Sequence, residues 1–173
     1  MRLLDGRWHQ EGAVAVAGYA FTREGKYLAG KALGDYFVSV ASEDDFAVKL
    51  RELNGSFACI LERPAGIFAA VDKIRSIPLF FDSSAKISDH AESIDVLVPQ
   101  MLEGSSAFSE FLITGFVSGE DTLNPAVRQI PAGHYLVFDP SFGMPKLKAY
   151  YRYLHTHESD KPVPELIRDM HAM

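Results

Sequence analysis

Residues 56–62 (SFACILE) and 67–71 (IFAAV) constrain the fold more than any other part of the chain. They flank Arg63-Pro64-Ala65-Gly66, whose proline and glycine have turn chemistry, so the two runs read as the arms of an antiparallel hairpin. Both faces of each arm are apolar. A strand that is apolar on one side suits a sheet open to water, whereas one that is apolar on both needs a layer above and a layer below. The hairpin therefore belongs to a sandwiched sheet. The single cysteine, Cys59, lies inside the first arm. One cysteine excludes an internal disulfide, and a thiol in a buried strand reads as structural, because a nucleophile needs exposure and a depressed pKa.

Further strands and helices can be placed around this hairpin. Residues 12–21 (GAVAVAGYAF) alternate small and larger apolar side chains, residues 22–25 end in a glycine suited to positive φ, and residues 26–29 read as a return strand. Ser42 stands three positions before Asp45, as in a capping box, and Phe46, Leu50 and Leu53 recur at helical spacing, predicting a helix over residues 43–53. Its acidic first turn suits the positive end of the helix dipole. Strands are predicted over 79–82, near 86–88, and over 134–138 and 148–153. Helices are predicted over 92–98, stopped by Pro99, and over 107–114, started at Ser106 and stopped by Gly115. After residue 154 the composition turns polar. Residues 1–154 therefore read as one domain, and 155–173 as a linker and the start of a helix leading towards a possible further domain.

A chain of 173 residues, 47% apolar and 12% aromatic, can build an ordinary core without staples, burying roughly 70% of the surface its unfolded form exposes. The formal charge of −6 and the scattered lysines and arginines exclude a nucleic-acid footprint. No apolar run approaches the ~20 residues that span a bilayer, and the first residues lack a signal core, so a cytoplasmic protein is expected.

Two blocks carry a family resemblance. Residues 53–61 (LNGSFACIL) and 71–81 (VDKIRSIPLFF) resemble the patterns L-x-G-x-F-A-F-A-L and R-D-x-x-G-x-x-P-L-Y-Y. Residues 111–123 (FLITGFVSGEDTL) and 130–136 (IPAGHYL) resemble Y-L-x-x-G-x-V-x-x-x-x-T-L and L-P-P-G-H-x-L, followed by the tyrosine pair Tyr150-Tyr151. In this order the blocks resemble the glutamine amidotransferase domain of asparagine synthetases, which serves asparagine biosynthesis. The resemblance implies an α+β fold, the αββα four-layer sandwich of amino-terminal nucleophile hydrolases, with the first strands of the family pattern missing.

The same resemblance implies a degenerate site. The family's N-G-E-I-Y-N, which supplies an asparagine side chain and a glycine N–H to the oxyanion, has its counterpart in Ala17-Gly18-Tyr19-Ala20-Phe21. Gly18 keeps the backbone donor, while Ala17 removes the other, a loss of the kind that costs ~10² to 10³ in rate. Asp44, within Ser42-Glu43-Asp44-Asp45, stands where the family's S-D-T-E-V holds the substrate amine, although a helix cap explains the same residues. Asp72 survives from R-D-x-x-G, whose arginine and glycine are replaced by Val71 and Arg75; it is expected to orient neighbouring backbone or to pair with Lys73 or Arg75. Gly18, Asp44 and Asp72 are thus the remnant of a substrate site. Only sixteen residues precede Ala17, so the nucleophilic cysteine and the arginine that pairs with the glutamine carboxylate are expected to be absent, and no residue is assigned a catalytic role.

Other chemistry finds less support in the sequence. Ser56, Ser76, Ser83 and Ser84 are not in an elbow such as G-x-S-x-G. His155 and His157 form H-x-H without further ligands at zinc spacing, and His134 is expected to stabilise its turn. No phosphate-binding loop of the G-x-x-x-x-G-K-[ST] or S-G-G-x-D-S kind occurs, so no nucleotide, metal or other cofactor is expected. The leading expectation is a glutaminase-like scaffold that docks an ATP-dependent, amide-forming synthetase domain or subunit. Two alternatives stand beside it: a small amidohydrolase or ligand-binding protein using the pocket around Gly18 and Asp72, and a homo-oligomer paired through a free sheet edge.

Overall fold

A computed structural model describes residue 3 and residues 6–141, 143–154 and 159–171. The fold is α+β and its sheets are antiparallel. Strands β1 (Trp8–Glu11), β2 (Val14–Phe21) and β3 (Tyr27–Ala29) are followed by helices α1 (Lys31–Val38) and α2 (Glu43–Glu52). The hairpin β4 (Asn54–Arg63) and β5 (Gly66–Val71) leads to the short strands β6 (Phe80–Phe81) and β7 (Ile87–Ser88). Two 3-10 turns, Ala91–Ser93 and Pro99–Leu102, precede α3 (Ser106–Thr114), and then come β8 (Arg128–Gln129), β9 (His134–Phe138), β10 (Lys146–Ala149) and α4 (Val163–His171). The main sheet runs β1-β2-β4-β5-β9-β10, with β3 also on β2, and a small sheet runs β7-β6-β8.

Side-chain alternation explains the layers. On β2, β4 and β5, the residues Val14, Val16, Phe57, Cys59, Leu61 and Phe68 point to one face, where Leu33 and Phe37 of α1 and Phe46 and Leu50 of α2 cover them. The alternate residues Ala15, Ala17, Ala58, Ile60, Ala69 and Val71 point to the other face and meet Phe81 and Ile87 of the small sheet, with Ile77, Leu79 and Ile130 beside them. Most of these are alanines, which let one sheet lie close on another. Bulky residues accordingly face the helices and small ones face the second sheet. Doubly apolar strands do become a sandwiched sheet, as the hairpin pattern predicts.

Aromatic rings fill the helical side. Phe46 is fully buried, and its ring lies 5.5 Å from Phe68, 5.7 Å from Tyr135 and 6.0 Å from Phe37. Arg63, at the hairpin turn, donates from Nε to the Val40 carbonyl at 2.8 Å and from Nη2 to the Phe37 carbonyl at 2.9 Å. The guanidinium thereby caps the end of α1, joining the Val40 N–H on the Phe37 carbonyl and holding the Val40 carbonyl just beyond the helix.

Several boundaries match their sequence signals. Ser42 accepts the Asp45 N–H at the start of α2, and Gly115 ends α3 with φ 79°. The predicted helix over 92–98 is replaced by the two 3-10 turns, and Pro99 opens the second turn instead of stopping a helix. Val96, Leu97 and Val98 have no core to face and stay exposed. Packing supplies most of a helix's stability, so an apolar stretch without a partner layer does not hold one. The predicted strand over 148–153 lies earlier, at Lys146–Ala149, because its pairing with His134–Val137 sets it. The sheet also starts sooner than the sequence predicts: β1 pairs with β2 and occupies an edge. His155 and His157 lie outside the described residues.

Candidate functional site

Gly18 and Asp72 meet at one end of the main sheet, on either side of Phe57. Gly18 on β2 is in register with Phe57 on β4. Asp72, immediately after β5, donates its own N–H to the Phe57 carbonyl at 2.9 Å and accepts the Phe57 N–H on Oδ2 at 3.1 Å. Gly18 has φ 82°, and a Cβ there would stand 2.0 Å from the Ser56 carbonyl oxygen. Only glycine allows this conformation and this approach together. The neighbouring Ala17 is buried with its methyl among the residues between the two sheets.

Asp72 is fully buried, and its carboxylate is occupied by the protein. Oδ2 also accepts the Ser76 N–H at 2.9 Å, and Oδ1 accepts the Ile74 N–H at 2.9 Å. Its carbonyl receives the N–H groups of Arg75 and Gly133. Asp72 thus organises the loop that joins the two sheets and ties in the Ile130-Pro131-Ala132-Gly133 turn. Of the roles open to it in the sequence, orientation of backbone is the one the geometry displays. It forms no ion pair with Lys73 or Arg75: the Lys73 ammonium lies over the Tyr151 ring, and Arg75 is held otherwise.

Asp44 is not part of this cluster. It is exposed on the first turn of α2, and the adjacent Glu43 ties that turn to β9 and β10 by accepting the Tyr135 hydroxyl at 2.8 Å and pairing with Lys148 at 2.6 Å. Cys59 is fully enclosed, and burial pushes its thiol pKa up, which suits a structural role. Ser76 Oγ donates to Ser56 Oγ at 3.1 Å. Ser84 Oγ donates to Asp82 at 2.7 Å, a local turn contact of the kind expected for such serines. His134 Nδ1–H donates to the Ala132 carbonyl at 2.8 Å, the turn role its sequence context suggests.

Two features escape the sequence reading. Asp89, buried, accepts the Trp8 indole N–H at 2.9 Å and faces His90 Nδ1 at 3.1 Å, which orients an imidazole that is half exposed. Among the described residues no hydroxyl or thiol hydrogen-bonds to the other ring nitrogen. The second feature is Arg75, which has φ 59°, uncommon for a residue with a side chain. A sequence signal existed for it, since Arg75 occupies the glycine position of the R-D-x-x-G pattern.

Cavities open away from Gly18 and Asp72. One of about 470 Å³ lies between β6, the Pro125-Ala126 turn and Met144. Another, of about 240 Å³, lies between Arg75, Phe80 and the Phe111 and Phe116 side chains. Among the described residues there is no group of three or more His, Cys, Asp or Glu residues placed to hold a metal ion, and no helix long and apolar enough to cross a membrane.

No protein-family model matches the sequence, and no curated protein matches it. Among solved structures, the chain is similar to a glutamine phosphoribosylpyrophosphate amidotransferase from B. subtilis complexed with ADP and GMP, at 9% identity and a TM-score of 0.43 over 84% of this chain and 31% of that one. It is also similar to an allosteric regulatory enzyme of purine biosynthesis, at 11% identity and a TM-score of 0.43 over 87% of this chain and 32% of that one. The chain spans about a third of the length of these two structures.

Proposed function

We propose that this chain is a glutaminase-type domain of the amino-terminal nucleophile hydrolase kind, related to asparagine synthetases, that no longer hydrolyses glutamine and serves as a scaffold for an amide-forming synthetase domain or subunit. The ordered motif blocks over residues 53–81 and 111–136 support the family reading. So does the stacking of α1 and α2 on the main sheet and of the main sheet on the small sheet.

The observation that favours loss of hydrolysis is the state of the sheet end. Asp72 is fully buried with both carboxylate oxygens accepting backbone N–H groups, and the alanine at the expected asparagine position is buried between the sheets. An oxyanion site needs donors aimed at the developing charge, and there the donor side chain is missing. The same observation weighs against a small amidohydrolase or a binding pocket built on Asp72. The scaffold role is supported by α3, none of whose residues is buried and whose Leu112 and Ile113 face outward. In this reading residues 1–154 form the glutaminase-like unit. The exposed apolar stripe Val163, Ile167 and Met170 of α4 suits a segment that leads towards another domain.

The test is ammonia and glutamate release from glutamine by the purified chain. No release above a protein-free control is expected. Release that a Ser76→Ala or Asp44→Asn substitution abolishes would overturn the proposal.

A further inference from the structure

We propose that the cavity between the small sheet and α3 binds a small monocarboxylate with an apolar body, its carboxylate held by Arg75. This site is separate from the sheet end discussed above and does not depend on the glutaminase reading.

Arg75 is half-buried, and desolvation alone lowers its pKa, with no acidic partner acting on it. Its Nε donates to the Ile130 carbonyl at 3.1 Å, which fixes the plane of the group, and its Cζ lies 5.4 Å from the centre of the Phe80 ring. Among the described residues no carboxylate lies within ion-pairing distance, and neither Nη atom has a hydrogen-bond acceptor. A charge partly removed from water and left without a counterion is costly, and an incoming carboxylate that accepts two parallel N–H bonds relieves that cost.

The walls decide the rest of the ligand. Phe80, Phe111 and Phe116 line the cavity, and at about 240 Å³ it suits a molecule with one ring, not a nucleotide. Its other polar groups are already engaged. The Gln129 amide donates to the carbonyls of Val117 and Gly119, and the single Thr122 hydroxyl hydrogen is shared between those of Asn124 and Val127. The Nη atoms of Arg75 are thus the donors that remain for an anion. Asp121 stands exposed on the rim and disfavours a second negative charge.

The backbone is consistent with a positioned group. Arg75 holds φ 59° in the loop that Asp72 pins through its carbonyl and carboxylate, so the side chain leaves the loop from a fixed origin.

Titration of the full chain with 3-phenylpropionate, followed by amide and arginine side-chain NMR shifts, tests the site. Saturable shifts are expected at Arg75 Nε–H and at Phe116, Val117 and Gln129. The neutral 3-phenylpropionamide should bind at least about tenfold more weakly, and Arg75→Gln should weaken the carboxylate by a similar factor. Arg75→Lys, which keeps the charge but not the fork, should fall between the two. The proposal is overturned if the amide binds as well as the acid, if Arg75→Gln leaves the affinity unchanged, or if the wild-type protein shows no saturable shift. The comparison of acid with amide uses the unaltered protein, so a variant that fails to fold does not leave the question open.

Discussion

The loop after β5 and the helix α3 spend their side chains in opposite ways. In the loop, Asp72 is enclosed and satisfies three backbone N–H groups, while Ile77 and Leu79 fill the space between the sheets. In α3 no residue is buried, and the apolar Leu112 and Ile113 are 68% and 85% exposed. The loop is therefore a structural joint whose polar residue serves the fold. The helix is ordered by its own caps, Ser105 at one end and Gly115 at the other, and contributes little to the core. Asp72 is closed off from solvent with both oxygens engaged by backbone N–H groups, whereas the Nη atoms of Arg75, three residues on, have no acceptor among the described residues.

The strongest way to break the comparison is Asp72→Ala. Removing the acceptor leaves the N–H groups of Phe57, Ile74 and Ser76 without a partner, at a cost of about 3 to 5 kcal/mol in urea unfolding. Asp72→Asn, which retains one oxygen, should cost less. If Asp72→Ala instead left the unfolding midpoint in place, the loop would be no joint, and the carboxylate would be free for a ligand.

Next in size is Gly18→Ala, where positive φ coincides with a Cβ clash on backbone. Strand movement to relieve it should cost about 2 to 3 kcal/mol. An unchanged midpoint would show that the end of β2 is mobile enough to accept a side chain, and so mobile enough to admit a substrate.

How much of this was legible in the sequence follows from the same contrast. The β4–β5 hairpin announces itself because both faces of each arm are apolar and the turn between them carries Pro64 and Gly66. Helix α1 does not. Gly30 precedes it without a side-chain cap, its first turn has no acid and its last no base, and Gly34 sits in its middle. It is held by packing Leu33 and Phe37 on the sheet and by Arg63 from a distant turn, none of which is local. Strand β1, reading Trp-His-Gln-Glu, has no apolar alternation and is a strand because β2 pairs with it. For the candidate site, the family resemblance singles out Gly18 and Asp72, which lie at one sheet end, but the sequence could not show that three backbone N–H groups engage the Asp72 carboxylate. Asp44 shares a motif position with substrate-binding residues, and its surroundings are those of a helix cap.

The α3 side of the comparison predicts near silence. Leu112→Gln and Ile113→Gln keep helix propensity and remove apolar surface that touches little, so each should change stability by less than about 0.5 kcal/mol. A loss of several times that would show that the helix is buried in solution, for instance in an assembly of copies detectable by light scattering.

The smallest effect concerns Glu43, which shows what an exposed ion pair adds to a joint of the buried kind. Burial raises its pKa, but the hydrogen bonds from Lys148 and the Tyr135 hydroxyl and the charges of Lys148 and Lys146 outweigh it, leaving the carboxyl below its ordinary value of 4.5. A carboxyl with a lowered folded pKa adds stability that is fully present above its unfolded pKa and disappears as pH falls through the folded one. The contribution is therefore complete near neutrality and lost in the acid range below 4.5. With the Lys148 and Glu43 side chains 50% and 31% exposed, screening holds it to about 0.5 kcal/mol or less. Lys148→Met should flatten the acid limb of the urea midpoint against pH and leave the neutral plateau nearly unchanged. A variant with the same acid limb as the parent would assign the acid loss to other carboxylates.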